Sequence, residues 1–219
     1  GNHMEKKQKN IIIAAGAIGI VLIIFLLFQI ITQKLLVRDG TKYLEQKEYE
    51  KAYESFYKAE KKHTILTSKK NILYYEGECL ILLGRYEDAV QVYGKITDRH
   101  KEARAFAMKG FSYQADGQKK KAQKSYEKAI DVDKKDGIGY YYLYGYYIEE
   151  EQYQQALDTI EQALKGPVNS WEQELAFGKI VVYEKMLEYD KALEAATAYV
   201  KAYPDDETGK REQEFLETR

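Results

Sequence analysis

"GECLILLGRYEDAVQVYGKI", residues 77–96, joins an apolar run to a glycine, an acidic step, and a second run in which Ala89, Tyr93 and Ile96 recur at helical spacing. It reads as two amphipathic helices with a turn at Gly84. The same order returns in "GTKYLEQKEYEKAYESFYKA" (40–59) and "GFSYQADGQKKKAQKSYEKA" (110–129). In each, an alanine follows the first glycine by twelve residues (Ala52, Ala89, Ala122), and an aromatic (Phe56, Tyr93, Tyr126) follows four residues later. Two further copies, "LYGYYIEEEQYQQALDTIEQAL" (143–164) and "IVVYEKMLEYDKALEAATAYVKAYP" (180–204), place Ala156 and Ala192 at the same site. The alanine therefore recurs at 52, 89, 122, 156 and 192, with intervals of 37, 33, 34 and 36 residues.

This series resembles the tetratricopeptide repeat (TPR) family, whose period is about 34 residues. The resemblance covers residues 33–204. It implies an all-α fold: a TPR solenoid of about five helical hairpins, closed by a capping helix in "DDETGKREQEFLETR" (205–219). The physics of the pattern agrees. A small residue on each helix lets two backbones approach, and no single hairpin buries its apolar face, so neighbours must stack. Gly84 and Gly117 stand where first helices end and a positive φ is needed. The acidic residues of "KEYEKA", "GRYEDA" and "LEYDKA" favour the starts of second helices. Only two prolines, Pro167 and Pro204, interrupt the chain, and Pro204 follows the last second helix. Repeats four and five depart from the pattern, with Tyr144 and Ile180 in place of the glycine and Gly145 and Gly178 close by.

"GYYYLYGYYI" (139–148), six tyrosines in ten residues, is then the first helix of repeat four. A strand reading fails because alternation is absent and helical repeats flank it. The repeat register turns Tyr140, Leu143 and Tyr147 inward, Tyr141 to the groove, and Tyr142 and Tyr146 to neighbouring helices or the outer face. The resemblance further implies a partner-binding groove formed by Tyr74, Ile81, Arg104, Phe111, Gln114, Tyr141, Ile148, Phe177 and Val181, with Glu78, Ile138, Glu149, Glu174 and Glu184 around it. Lys, Arg and Asn do not cluster there, so a clamp for a C-terminal carboxylate is not expected. An apolar or helical peptide fits better, and the chain's own tail or a neighbouring subunit is the competing occupant.

Catalysis has no visible basis, and no phosphate loop or zinc spacing is present, so no cofactor or metal is expected. His63 and His100 lie in polar junctions. Cys79 stands at a small packed site and reads as a buried structural thiol. The 34 Lys and Arg nearly cancel 35 Asp and Glu. In "QKKKAQKSYEKA" the run Lys119–Lys121 is followed by Glu127 and Asp131, which reads as a solvated face rather than a nucleic-acid surface.

The N-terminus differs from everything else. Gly1, Asn2 and His3 read as a vector-derived scar before Met4, and residues 1–10 form a short basic tail with Lys6, Lys7 and Lys9. "IIIAAGAIGIVLIIFLLFQII" (11–31) carries no charge, and Gln29 is its one strongly polar residue. As a helix it would be about 32 Å long, matching a hydrocarbon core of about 30 Å. A cleaved signal peptide has a shorter apolar run and a small-x-small site, and none follows here. The reading is a transmembrane signal anchor joined by Thr32–Val37 to the repeats. The basic tail favours a cytoplasmic N-terminus and an extracytoplasmic TPR array at a bacterial cell membrane. The expected function is a non-catalytic, membrane-tethered scaffold for protein or peptide partners, in secretion, envelope-protein folding or cell-wall assembly. In architecture it resembles the membrane-anchored TPR proteins that accompany the bacterial translocon. The alternative is a self-associating homo-oligomer with Gly16 and Gly19 at helix contacts.

Overall fold

The computed structural model describes residues 1–65, 67–166 and 168–219, so Leu66 and Pro167 lie outside the described residues. Among these the chain is all-helical: α1 (Asn2–Glu45), α2 (Tyr49–Glu60), α3 (Lys70–Leu82), α4 (Tyr86–Thr97), α5 (Ala103–Ala115), α6 (Lys119–Val132), α7 (Ile138–Glu149), α8 (Tyr153–Lys165), α9 (Glu172–Lys185), α10 (Tyr189–Ala202) and α11 (Glu207–Glu217). They form two compact units, Gly1–Val92 and Tyr93–Arg219.

All five hairpin turns share one backbone device. Lys47, Gly84, Gly117, Glu151 and Leu187, each five residues before the repeat's alanine, have φ between 57° and 82°. The residue after each donates its N–H five residues back, as in Glu48 N to Tyr43 O (2.9 Å) and Gln118 N to Tyr113 O (2.8 Å). This is the Schellman ending, in which a left-handed residue lets the chain satisfy the last carbonyls and reverse. Glycine at 84 and 117 makes the turn legible. Lys47, Glu151 and Leu187 make it with a Cβ in a region that costs an L-residue about 1–2 kcal/mol.

In the first unit, α1 is one helix of 44 residues. The segment Thr32–Val37, expected as the connection between anchor and repeats, is part of it: the apolar stretch runs without a break into the first helix of the first hairpin. Residues 11–28 lie on its exposed part, long and apolar enough to cross a membrane by length and composition. The helix then docks on α2 through Gln29, Gln33, Leu36 and Gly40, spaced four, three and four apart on one face. Gln33 is satisfied on both amide atoms: Nε2 donates to Ala59 O (3.1 Å) and Thr64 Oγ1 (3.2 Å), and Oε1 accepts from Thr67 Oγ1 (2.8 Å). Ala52, Phe56, Ala59, Ile72 and Cys79 form the core beneath, with Phe56 stacked on Tyr75 at 4.7 Å. Cys79 is fully buried, and burial pushes its thiol up to about 12, out of the reactive range.

The role of the first-helix glycine is sharper than close approach to the alanine. A Cβ on Gly40 would lie 2.7 Å from the Phe56 ring, and one on Gly110 would lie 2.6 Å from the Tyr126 ring and 3.2 Å from Ala122 O. The glycine is a seat for the aromatic four residues past the alanine, so these rings fill the hairpin's own interior. That explains the two departures. In repeat five the sizes are exchanged, Ile180 for glycine and Ala196 for the ring, and both are fully buried. In repeat four, Tyr144 finds its seat on the next first helix, where a Cβ on Gly178 would lie 2.7 Å from its ring. Gly145, by contrast, faces open space.

The second unit's largest core combines Tyr126, Tyr140, Leu143, Tyr146, Leu157, Ile160, Leu175 and Val182. Here Tyr146 is buried and Tyr147 only half-buried, the reverse of the expected register; the Tyr147 hydroxyl accepts from Gln123 Nε2 at 3.2 Å. At the C-terminus, α11 is capped by Asp206, which accepts from Thr208 N (3.2 Å), and it inserts Leu216 against Ile180 and Tyr199. Its Gly209 seats the Tyr199 ring.

Gly110→Ala tests the seat. Added to a packed interior, one methyl is expected to cost about 1–3 kcal/mol, lowering the melting temperature of the full chain in detergent micelles by circular dichroism. An unchanged melting temperature would show that the ring does not depend on the glycine.

Candidate functional site: an aromatic pocket at α7, α9, α10 and α11

The sequence places Tyr74 and Ile81 on α3 in the first unit and the other seven groove residues in the second. Tyr74 is 7% exposed and belongs to the core, so it offers no binding surface. Ile81 is half-buried. In the second unit, Phe111 meets Tyr142 edge to face at 5.9 Å. Gln114 is engaged on both amide atoms, accepting from the Tyr126 hydroxyl (2.7 Å) and donating to Glu149. Arg104 lies near Tyr142 and opposes the rise that burial gives that phenol. Ile148 packs on the core of repeat four, and Val181 is half-buried. Of the predicted groove residues in the second unit, Tyr141 and Phe177 share a pocket.

Those two line a pocket of about 330 Å³ with Tyr144, Gln173, Glu174, Tyr199, Asp206 and Thr208. α7 supplies Tyr141 and Tyr144, three residues apart and so on one face. Their rings meet edge to face at 5.6 Å. Tyr141 is further held by Trp171, 4.7 Å away, a residue whose left-handed backbone (φ 61°) starts α9. α9 supplies Gln173, Glu174 and Phe177, α10 supplies Tyr199, and the start of α11 supplies Thr208, with Asp206 as its cap. Phe177 meets Tyr199 at 5.5 Å and 71°, an edge-to-face pair. The Tyr199 hydroxyl donates to Asp206 and accepts from Gln173 Nε2 at 3.1 Å. That links the floor of the pocket to the cap of α11.

Burial, reinforced by Tyr141 and Glu174, pushes the Tyr144 phenol up to about 12. Burial, with the Asp206 hydrogen bond second, also raises Tyr199. Both phenols therefore stay neutral hydrogen-bonding walls. The pocket offers ring faces and edges for an apolar side chain, and the Glu174 and Asp206 carboxylates for a neighbouring cation. Tyr144, Gln173, Tyr199, Asp206 and Thr208 were missed in sequence because they belong to four separate elements. Tyr144 carried a signal, since a large ring at a glycine site must go somewhere other than its own hairpin.

The Lys119–Lys121 run is a solvated face: Lys119 pairs with Glu150 at 3.0 Å, and Lys121 lies 5.7 Å over the Tyr113 ring. Among the described residues no group of His, Cys, Asp and Glu is placed to hold a metal ion.

Comparison with known proteins agrees with the architecture. A tetratricopeptide repeat family model matches residues 72–103, the α3–α4 hairpin. No curated protein matches the sequence. Among solved structures, a tetratricopeptide repeat protein from Parabacteroides merdae is similar at a TM-score of 0.63 and 17% identity, covering 84% of this chain and 72% of that one. A thermophilic TPR protein of Thermus thermophilus is similar at a TM-score of 0.63 and 16% identity, over 85% of this chain and 100% of the other. YrrB, described as a TPR protein with an unusual peptide-binding site, is similar at a TM-score of 0.54 and 17% identity, over 82% of this chain and 90% of its own. At these identities the likeness is one of fold, and the fold is that of TPR proteins.

A partly buried carboxyl of α9 faces the C-terminal cap that completes the pocket. Burial, then a hydrogen bond to Glu212 of α11 and that residue's charge, raise the Glu184 carboxyl of α9 from 4.5 to about 7; Arg219 and Lys185 oppose the rise. A pKa raised by folding means that the proton stabilises the folded form. This contribution is complete below the unfolded value of 4.5 and is lost as pH climbs through about 7. Amide exchange in α11 is therefore expected to quicken across that window beyond its intrinsic pH dependence. Glu184→Gln, which keeps a donor without titrating, should flatten the excess. An equal excess in the variant would exclude the pair.

Proposed function

We propose that the chain is a membrane-tethered interaction scaffold in which α1 crosses the hydrocarbon core with the exposed apolar residues 11–28 and the Tyr141–Phe177 pocket captures a peptide segment of a partner protein. The observation that carries it is the joining of an exposed apolar stretch, without a linker, to a TPR fold whose second unit holds an open pocket walled by rings. Four aromatic side chains fixed by one another need little reordering on binding, so a ligand meets a preorganised surface. The two carboxylates direct specificity: the preferred segment carries an aromatic or large aliphatic side chain beside a Lys or Arg. Secretion, envelope-protein folding and cell-wall assembly all supply such exposed segments and are the processes in which the scaffold would act. The basic tail ahead of the stretch supports a cytoplasmic N-terminus, with the repeats on the outer face of a bacterial cell membrane.

Trp171, the only tryptophan, touches the pocket wall through Tyr141 and serves as reporter. Titrating the full chain with short peptides that pair Phe or Leu with Arg should change its emission saturably, and Tyr141→Ser/Phe177→Ser should weaken binding at least about tenfold, or 1.4 kcal/mol, with helical circular dichroism retained. Equal binding by the double variant would move the site elsewhere. Sidedness is measured separately with Lys210→Cys on α11, in a Cys79→Ala background. Labelling by a membrane-impermeant maleimide in intact bacterial cells is expected; protection relieved only by lysis would put the repeats in the cytoplasm.

A further inference from the structure

The α2–α3 connection "KKHTILTSK" (61–69) is unlike the other connections in combining three lysines with an exposed aliphatic residue. Ile65 is 82% exposed, the highest value of any large apolar side chain among the described residues. Its neighbourhood is set by α1. Gln29 Oε1 accepts from His63 N at 3.0 Å, and Gln33 is bonded to Thr64 and Thr67, so the connection lies against the helix where the apolar stretch ends. The exposed residues 11–28 account for about 27 Å of helix, close to a hydrocarbon core. The layer of phosphates and glycerol esters then falls at the level of Gln29 to Gln33, and the connection falls with it.

At that level α1 and the end of α2 enclose a cleft of about 570 Å³. Gln29 and Leu36 form one wall, and Tyr57, Lys58, Lys61, Lys62 and His63 the other. No carboxylate lines it among the described residues. Glu60, buried in α2, lies 3.9 Å from Lys61 Nζ. Lys61 Nζ also lies 5.1 Å over the Tyr57 ring, a cation–π contact at the cleft. Around α1, on the side away from the Gln29–Gln33 dock, Phe28, Ile31 and Leu35 remain exposed and carry the apolar surface on past the cleft's level.

We propose that this cleft binds the phosphate headgroup of an anionic phospholipid, with Ile65 inserted beside it at the headgroup–acyl boundary; the proposal rests on the reading that α1 spans the membrane. Three lysines facing one cleft match a phosphodiester, their alkyl stems lie along apolar surface while the ammonium groups reach the phosphate layer, and an apolar residue at the tip of a basic connection suits the interface. Through this second attachment, α2 and the connection contact the bilayer as well as α1.

The test uses the full chain with Cys79→Ala, reconstituted in vesicles of phosphatidylcholine alone or with phosphatidylglycerol. An environment-sensitive fluorophore is placed on Ile65→Cys, or in a parallel sample on Ile18→Cys within the apolar stretch. Site 18 is expected to report hydrocarbon in both lipids. Site 65 should shift to an apolar environment only with phosphatidylglycerol, lose that shift in K58Q/K61Q/K62Q, and keep it in the presence of soluble glycerol phosphate. A shift at 65 that is equal in both lipids, or unaffected by the lysine changes, overturns headgroup recognition. Its reversal by glycerol phosphate makes the ligand a soluble phosphate and overturns the lipid assignment. Hydrocarbon at 18 with water at 65 in both lipids leaves the span standing and removes this proposal alone. Water at 18 removes both.

Discussion

A ring lying over a glycine Cα is the contact on which the hairpins depend. With no Cβ on Gly40 or Gly110, the Phe56 and Tyr126 rings approach the first helix more closely than a side chain there would allow and fill the hairpin interior. Burying such a ring contributes roughly 1.5–3 kcal/mol, and close packing makes the site intolerant of a single added carbon. Repeat five reaches the same filling with Ile180 against Ala196, a redistribution of volume that conserves packing.

The pocket is a by-product of the same rule. Tyr144 cannot enter its own hairpin, because its partner site is already filled by the fully buried Ile160. It lies instead on Gly178 of α9 and forms a pocket wall. Tyr199 likewise seats on Gly209 of α11 and turns its hydroxyl to the α11 cap. The side chains that hold the last two hairpins and the cap together are thus the ones a ligand would touch, and a ligand in the pocket would bear directly on the packing of α11.

At the other end, the consequence comes from an unbroken helix. A flexible linker would let the repeats move independently of the apolar stretch. Here Gln29 and Gln33 fix the α2–α3 connection to α1 by hydrogen bonds from both sides. Two amides at the end of an apolar stretch are costly in hydrocarbon unless paired. Their pairing within the first unit marks where the apolar surface of α1 gives way to protein contact.

The all-α class, the five hairpins and their phase were determined by the sequence alone, because helical periodicity and the recurring alanine are local signals repeated five times. Gly84 and Gly117 announced their turns; Lys47, Glu151 and Leu187 did not, since only the backbone shows that they adopt the same left-handed conformation. Tyr141 and Phe177 were singled out from register, and both line the pocket. Tyr74 was misplaced, and Tyr146 and Tyr147 were exchanged, because one helical step of about 100° decides between core and surface in a segment where almost every residue is tyrosine. The remaining pocket walls, and the joining of the apolar stretch to the first repeat in one helix, were decided only by the folded structure. Both follow from where side chains far apart in sequence find space, and a pattern read along one chain does not contain that information.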